Sequence, residues 1–375
     1  MSDALRLAAG RLDHWLLSAA LPLWWTAGAD HQAGGFCEGL DLDGRPVRGD
    51  RRARVQARQI YVYAKAGALG WDGPWREAVD HGLKCLFDDY FRSDGLVRTL
   101  VAAQGAAVDE TATLYDQAFT LFALAAVIKA LPERTDMAAA ALRLLGVLQA
   151  DRRHAAGGFV EAGAQPFQAN PHMHLLEAAL AWSEVSDDPV WRDLADEIAG
   201  LALERFIDPA RGFLREFFDA QWRPHDGEPG RLVEPGHQFE WAWLLDRWSR
   251  SRGRADARQA AERLFAVGLR GVDRRREVAV NALWDDLSIR DADARLWPQT
   301  ERLKATLALR PADPDEAVRA IGGLMKYLDL PVEGLWRDKL RADGSFVVEF
   351  APASSFYHIV CAVEVLRGSL AGAAA

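Results

Sequence analysis

Glycine-containing turns recur along the chain at a nearly constant spacing. They read AGGF at 33–36, SDGL at 93–96, AGGF at 156–159, ARGF at 210–213 and ADGSF at 342–346. The last gap is about twice the others, which places a degenerate turn within residues 270–283. Self-similarity at a fixed period is typical of a repeat architecture. The 375 residues therefore divide into six units of about 62 residues each.

A long apolar segment follows each turn. These segments are too long and too rich in alanine and leucine for the strands of a βαβ fold. A helix that is apolar on all sides is buried, so we predict six buried helices. Between them lie amphipathic segments such as 189–207, where apolar residues recur at helical spacing. The six apolar segments span 54–69, 110–131, 170–185, 234–248, 297–309 and 354–368.

Six buried helices that alternate with six amphipathic ones predict an all-α fold. The expected architecture is an (α/α)6 barrel with six inner and six outer helices. Strands are expected only as short β-hairpins in the loops, as in GFLREFFD at 212–219. An open solenoid has the same local pattern, but such arrays carry polar capping repeats, and we find none here. We predict a single catalytic domain over residues 1–375.

Composition excludes several classes of protein. The net charge is −9, and no basic cluster is dense enough for a nucleic-acid surface. No stretch approaches the roughly 18 uninterrupted apolar residues of a membrane span, and WLLSAALPLWW at 15–25 reads as a buried helix. Three widely spaced cysteines indicate no disulfide framework. We expect a soluble cytoplasmic protein, either a monomer or a homodimer, with no nucleic-acid or membrane partner.

Polar residues are concentrated in the first turns of the predicted inner helices. If these helices run in the same direction, their starts meet at one mouth of the barrel. Polar groups on an apolar wall are typical of a ligand site, and helix N-termini favour anionic intermediates. The polar residues are Arg58, Gln59, Tyr115, Asp116, Gln117, Asn170, His172, His174, His237, Glu240, Gln299, Glu301, Tyr357 and His358.

Structural roles are open for several of these residues. Asp116 and Tyr115 can equally cap a helix, and His172 follows a proline, which favours a capping role. An arginine near several histidines suggests stabilisation of a developing oxyanion, although Arg58 could instead be neutralised by Asp116 or Glu301. His237 and Glu240 lie three positions apart and share a helix face.

Metal and nucleotide cofactors are not indicated. HMHLLE at 172–177 resembles the start of a cupin metal site, but on a helix the two histidines point in different directions. The phosphate-binding glycine motifs are absent from the sequence. We therefore expect no metal and no cofactor.

Six segments, in order, resemble the N-acylglucosamine 2-epimerase family in its wider sense. That family includes mannose isomerases, sulfoquinovose-related aldose–ketose isomerases and cellobiose 2-epimerases. The resemblance extends from about residue 15 to residue 368, and the family's (α/α)6 barrel agrees with the repeat. The segments are QARQIYVYA, LYDQAF, NPHMHLLEA, PGHQFEWAWLL, WPQTERLKA and YHIVCAV.

The resemblance implies roles for individual residues. His237 and His358 match the two acid/base histidines that flank C1 and C2 of an opened sugar, and Arg58 matches the arginine that stabilises the enediolate. Glu240 matches the carboxylate beside the first histidine, where we expect it to orient or tune His237. The substrate-binding residues are expected to be Tyr115, Asp116, Asn170, His174, Trp297, Gln299 and Glu301. The family's chemistry implies no metal or nicotinamide.

The expected reaction converts an aldose of the mannose type into a ketose. A base removes the C2 proton to give an enediolate, and imidazole suits this task because its pKa lies near working pH. Reprotonation at C1 gives the ketose, whereas reprotonation at C2 from the other face gives the epimer. The sequences of the segments RQIYVYA and WPQTERLKA resemble the mannose isomerase branch more than the disaccharide epimerases. The alternative is a C2 epimerase of a free, N-acylated or disaccharide aldose.

Other classes stay open from the sequence alone. A phosphosugar substrate is suggested by Arg51, Arg52 and Arg54, which precede Arg58. An inverting glycoside hydrolase would need two carboxylates roughly 6.5–9.5 Å apart, and its candidates are Asp116, Glu240 and Glu301. A sugar-binding barrel without turnover is the third alternative, and intact His237 and His358 argue against it.

Overall fold

The computed structural model describes residues 2–372, and helices dominate it. Twelve long α-helices occur in this range, separated by short strands and turns. They are α1 (Asp3–Trp15), α2 (Ala53–Ala66), α3 (Trp75–Cys85), α4 (Leu114–Ala130), α5 (Asp136–Asp151), α6 (Ala169–Ser183), α7 (Pro189–Leu201), α8 (Pro235–Arg252), α9 (Ala255–Arg270), α10 (Trp297–Leu309), α11 (Pro314–Leu328) and α12 (Phe356–Gly372).

The strands are two or three residues long and occur between the helices. They are β1 (Gly39–Leu40), β2 (Arg51–Arg52), β3 (Leu100–Val101), β4 (Ala107–Asp109), β5 (Leu232–Val233), β6 (Val272–Asp273), β7 (Val278–Ala279), β8 (Ala282–Trp284), β9 (Ile289–Asp291), β10 (Ala294–Arg295), β11 (Lys339–Leu340) and β12 (Ala351–Pro352). Antiparallel pairing joins β2–β3–β4, β5–β8–β9, β6–β7 and β10–β11. The strands are short and lie in the loops, as predicted. The pairs β3–β4, β6–β7 and β8–β9 are hairpins, whereas β2–β3, β5–β8 and β10–β11 join strands from different loops. The hairpin predicted at 212–219 is represented by isolated bridges at Leu214 and Phe218.

The chain forms two compact units. Unit I comprises residues 21–201 and 352–357, and unit II comprises residues 2–20, 202–351 and 358–372. In unit I the buried helices α2, α4 and α6 pack side by side, and each contacts the helix that follows it. In unit II α8 packs against α9 and α10, while α11 contacts α10 and α1. The predicted alternation of buried and amphipathic helices is therefore present in both units.

The inner helices are buried on nearly every face, and their buried polar residues lie among apolar ones. Every residue of α10 except Trp297 and Ala308 is buried. Helix α4 is buried from Leu114 to Val127 except at Tyr115. The outer helices bury one stripe instead, as α3 does with Ala78, Val79, Gly82 and Leu83. At Gly82 a Cβ atom would lie 2.5 Å from the Ile60 side chain. Glycine there allows α3 to approach α2 closely.

Five of the six turns are tied to the inner helix that follows them. In four repeats a glutamine of the helix accepts a hydrogen bond from the backbone N–H of one turn residue and donates one to its carbonyl. All eight of these bonds are 2.7–3.0 Å long. We call this contact the glutamine clamp. The pairs are Gln56 with Phe36, Gln117 with Val97, Gln238 with Leu214, and Gln299 with Ala279.

The third repeat uses histidine in place of glutamine. His172 Nε2 accepts a hydrogen bond from the Phe159 N–H at 2.9 Å, and its Nδ1 lies 2.9 Å from the Gln168 carbonyl. Burial lowers the pKa of His172 to about 4, although the bond to Gln168 acts to raise it. A neutral ring with its proton on Nδ1 satisfies both contacts. The structural role favoured for His172 is therefore confirmed.

The glutamine clamp should contribute strongly to stability. Gln56→Leu removes both partners of the buried Phe36 backbone groups, and each group left without a partner costs about 1–3 kcal/mol. We expect the free energy of unfolding to fall by about 2–4 kcal/mol, measured by denaturant unfolding. Gln32→Leu, at an exposed position, is the control. A loss for Gln56→Leu no larger than that of the control would contradict the account.

Candidate active site

Two histidines of unit II lie near one tryptophan. The ring centroid of His237 lies 5.0 Å from that of Trp297. The ring centroid of His358, which lies on inner helix α12, is 5.8 Å from the same tryptophan ring. Both histidines are largely buried, with 7% and 6% of their surface exposed. The starts of α8, α10 and α12 thus bring together three residues that the sequence singled out.

His237 is held by carboxylates. Its Nδ1–H donates to Glu216 Oε2 at 2.8 Å, and Glu234 Oε2 lies 3.5 Å from the same nitrogen. Burial acts to lower the pKa of His237, but the charges of Glu216 and Glu234 outweigh it and raise the pKa to about 10. His237 is therefore an imidazolium at neutral pH. Its Nε2–H is the proton that it can donate.

The partner of His237 differs from the one expected. Glu240 was predicted to orient the ring, but the Nδ1–H of His237 donates to Glu216, on the turn before α8. Side chains at i and i+3 share a helix face, but this spacing alone does not decide which carboxylate reaches the ring nitrogen. The charge of Glu240 also acts to raise the pKa of His237, and a tuning role for Glu240 stays a prediction.

Sequence reasoning missed Glu216, although the repeat contained a signal for it. Glu216 lies two residues after Leu214, the residue held by the glutamine clamp. The same offset places Glu38 after Phe36 and Glu161 after Phe159. Glu38 accepts from the Arg52 N–H, and Glu161 accepts from the Leu114 and Tyr115 N–H groups. A carboxylate that caps backbone in two repeats therefore holds the histidine in the fourth.

His358 is anchored through a different arrangement. Its Nδ1 lies 2.9 Å from Glu301 Oε1, and the other oxygen of Glu301 lies 2.6 Å from the ammonium of Lys304. Glu301 and Lys304 are fully buried on α10. Glu301 was predicted to contact substrate, but the structure makes it the support of His358.

A cluster of possible cation ligands surrounds His358. One donor atom each from Glu240, Glu301 and His358 lies within 4.8 Å of the others. This cluster already contains a positive charge, because the Lys304 ammonium contacts Glu301. We therefore assign no metal to these residues. Independence from metals stays a prediction.

A second polar cluster lies in unit I around Arg58. A guanidinium is only a hydrogen-bond donor, and that of Arg58 donates to the Tyr115 hydroxyl at 2.7 Å and to the Ser354 carbonyl at 3.0 Å. It also stacks over the Phe119 ring at 4.1 Å. Asp116, which the sequence offered as an acidic partner of Arg58, accepts hydrogen bonds from Arg54 instead. In its hydrogen bonds to Tyr115 and Ser354, Arg58 donates to neutral oxygen atoms.

His174 belongs to the same cluster. Its ring lies edge-on to Tyr115, with centroids 5.0 Å apart, and packs on Phe119 at 4.3 Å. Its Nδ1 is 3.3 Å from Glu177 Oε2, which also accepts the Tyr357 hydroxyl at 2.6 Å. The structure therefore joins Arg58, Tyr115 and His174, three predicted site residues, through direct contacts.

Two further predicted sugar contacts have structural partners instead. The Asp116 carboxylate accepts from Arg54 at 2.8 Å and from the hydroxyls of Thr99 and Thr113. Gln299 forms the glutamine clamp of the fifth repeat and holds Ala279. Their side chains are used within the protein, which corrects their assignment to the substrate.

Asn170 differs from these two residues. Its side-chain oxygen Oδ1 is buried and has no hydrogen-bond partner within residues 2–372 of the structure. A buried acceptor without a partner is costly, and a substrate hydroxyl would satisfy it. The predicted sugar contact of Asn170 is consistent with this position and stays a prediction.

Comparison with known proteins shows to which family and to which relatives the chain is similar. The model of the N-acylglucosamine 2-epimerase family matches residues 34–362. A protein of Rhizobium meliloti (strain 1021) named mannose-6-phosphate isomerase is 49% identical over 99% of both chains. A D-mannose isomerase of Thermobifida fusca is 30% identical over 59% of this chain and 58% of its own.

Solved structures show the fold. Cellobiose 2-epimerase from Spirochaeta thermophila DSM 6192 superposes with a TM-score of 0.89 at 20% identity, covering 99% of this chain and 98% of its own. A D-mannose isomerase gives a TM-score of 0.85 at 19% identity over 94% and 96%. The predicted all-α fold class, the (α/α)6 barrel, is confirmed. Within the described residues, no helix combines the length and apolarity that a membrane crossing requires.

The pKa of His237 should depend on Glu216. Glu216→Gln keeps a hydrogen-bond acceptor but removes one negative charge, which should lower that pKa by about 1–3 units. Titration of the His237 ring nitrogens by NMR measures the shift. Glu204→Gln, at an exposed position of the same unit, should leave the titration unchanged. An unshifted His237 in Glu216→Gln would show that Glu216 does not set its charge.

Proposed function

The chain belongs to the N-acylglucosamine 2-epimerase family, and from that premise we propose that it interconverts a mannose-type aldose and its ketose, with His237 and His358 as the acid/base pair. It is a sugar isomerase or epimerase that acts on a small-molecule sugar. The observation that carries the proposal is the pair of carboxylate-anchored histidines whose ring centroids lie 5.0 and 5.8 Å from that of Trp297.

The reaction needs one proton acceptor and one proton donor at the start. Neutral His358 takes the C2 proton of the open aldose on Nε2, while His237 gives its Nε2 proton to O1, which produces the enediol. His358 then returns its proton to C1, and His237 takes the O2 proton back. The C2–H bond is replaced by a C1–H bond, and both histidines regain their initial states. Negative charge that develops on O1 and O2 is stabilised by the imidazolium.

Isomerisation is favoured over epimerisation by the relatives. The protein 49% identical over its full length and the Thermobifida fusca protein are both named isomerases. The cellobiose 2-epimerase of Bacteroides fragilis is only 22% identical. The same two histidines could also reprotonate C2 from the opposite face, so the distinction requires the product.

Mannose 6-phosphate is the second candidate substrate beside free mannose. The name of the Rhizobium meliloti relative favours the phosphorylated sugar. The arginines that suggested this substrate in the sequence do not support it, because each has an acidic partner. Arg51 pairs with Asp30, Arg52 with Glu38 and Arg54 with Asp116.

Product analysis in D2O tests the reaction. The EDTA-treated protein is incubated separately with mannose and with mannose 6-phosphate, and the products are followed by NMR. We expect fructose or fructose 6-phosphate, with deuterium at C1 wherever the transferred proton exchanges with solvent. A C2-deuterated glucose product alone would establish an epimerase instead. No turnover of either sugar would contradict the proposed substrate class.

Both histidines should be required for turnover. His237→Asn and His358→Asn remove the donor and the acceptor, and removal of general acid–base catalysis typically costs about 10²–10⁴-fold in rate. Circular dichroism and thermal unfolding check that the fold is retained. His14→Asn, at an exposed position of unit II, should keep the full rate. Near-normal turnover by either variant would make the assignment of that histidine wrong.

A further inference from the structure

A buried lysine stands behind His358. Lys304 lies one helical turn after Glu301 on α10, and none of its surface is exposed. Its ammonium is 2.6 Å from Glu301 Oε2 and 4.1 Å from the centre of the Trp243 ring on α8. An ammonium in such a position is costly unless it is paired. The carboxylate and the aromatic face both offset that cost.

The two histidines therefore sit in opposite electrostatic surroundings. Around His237 the nearby charges are carboxylates, with Glu216 and Glu234 on Nδ1 and Glu240 beyond them. Each of them favours a protonated ring. Around His358 the groups of unit II are Glu301 and Lys304 from α10 and Glu240 from α8. Here a positive charge lies directly against the carboxylate that anchors the ring.

We propose that Lys304 is a positioning residue that sets the proton state of His358. Its ammonium keeps Glu301 ionised and offsets that negative charge, so His358 stays a neutral imidazole at the pH where His237 is an imidazolium. The Nδ1–H of His358 is then donated to Glu301, and the lone pair on Nε2 accepts the substrate proton. This inference deepens the proposed acid/base function and rests on it. One lysine thereby makes one of two similar histidine–glutamate pairs the base.

Lys304→Met tests the proposal, because methionine fills the lysine stem volume without the charge. Removal of a neighbouring opposite charge shifts a carboxylate by about 1–3 pKa units. The His358–Glu301 pair should therefore hold an extra proton up to a higher pH. The acid limb of the pH profile of kcat/KM should move upward by about 1–3 units. Activity at pH 7 should fall and recover at alkaline pH.

Three comparisons separate this role from a merely structural one. Lys304→Arg keeps the charge and should return the acid limb toward its wild-type position. Lys84→Met, at an exposed lysine, should leave the profile unchanged. The titration of His237 should be the same in Lys304→Met as in the wild type. A loss of rate that is equal at every pH, or an acid limb that does not move, would overturn the proposal.

The substrate-free wild-type protein gives a test that does not depend on the variants. Ring nitrogen NMR at pH 7.5 should show His358 as a neutral ring with its proton on Nδ1, and His237 protonated on both nitrogens. An imidazolium signal from His358 at that pH would overturn the proposal even if Lys304→Met fails to fold. This measurement needs no turnover. If neither sugar reacts, the proposed function fails while the proton states stand.

Discussion

In five of the six repeats the backbone of the turn is held by a side chain of the buried helix that follows it, and the geometry of the proposed acid/base residues depends on this contact. In the fourth repeat Gln238 holds Leu214, and Glu216 follows two residues later in the same turn. His237 is the chain neighbour of Gln238. The contact that fixes the turn therefore also brings the Glu216 carboxylate within 2.8 Å of the His237 ring. A contact repeated along the chain thus positions the His237–Glu216 pair, for which we propose a catalytic role.

The chemistry follows from how charge is distributed around two similar rings. The Nδ1 of each histidine lies against a buried glutamate, so in the proposed reaction Nε2 is the nitrogen that exchanges protons with the substrate. The difference lies one step further away. His237 has a second carboxylate, Glu234, at 3.5 Å, whereas the glutamate of His358 contacts the Lys304 ammonium. Charges at such distances shift a pKa by about 1–3 units, which is enough to give the two rings opposite proton states at neutral pH.

Much of the fold could be predicted from the sequence because helical periodicity is a local property. The segment predicted at 297–309 has the bounds observed for α10. The degenerate turn expected within 270–283 is the β6–β7 hairpin, tied to α10 by Gln299. The candidate site was harder to predict. Asp116 and Gln299 lie at polar helix starts like the histidines, and only tertiary contacts show that their side chains bind within the protein.

The missed residues have physical reasons in common. Glu216 lies in a turn, where helix-face reasoning does not apply, and its equivalence to Glu38 and Glu161 emerges only when the repeats are aligned on the clamped residue. Glu240 was chosen by its spacing from His237, but side-chain direction rather than spacing decides which carboxylate reaches a ring nitrogen. Lys304 lies in a helix that was predicted to be buried, where apolar side chains are expected. A buried charge at this position becomes understandable only from its contact with Glu301.

The central claim is that His237 and His358 together act on C1 and C2 of one open sugar. A crystal structure with a linear hexitol bound, as an analogue of the open aldose, tests it most directly. The account predicts C1 and C2 near Trp297, with the Nε2 atoms of His237 and His358 within about 3–3.5 Å of the C1–C2 unit or its oxygens. A hexitol whose C1–C2 unit contacts only one of the two histidines, or neither, would contradict it.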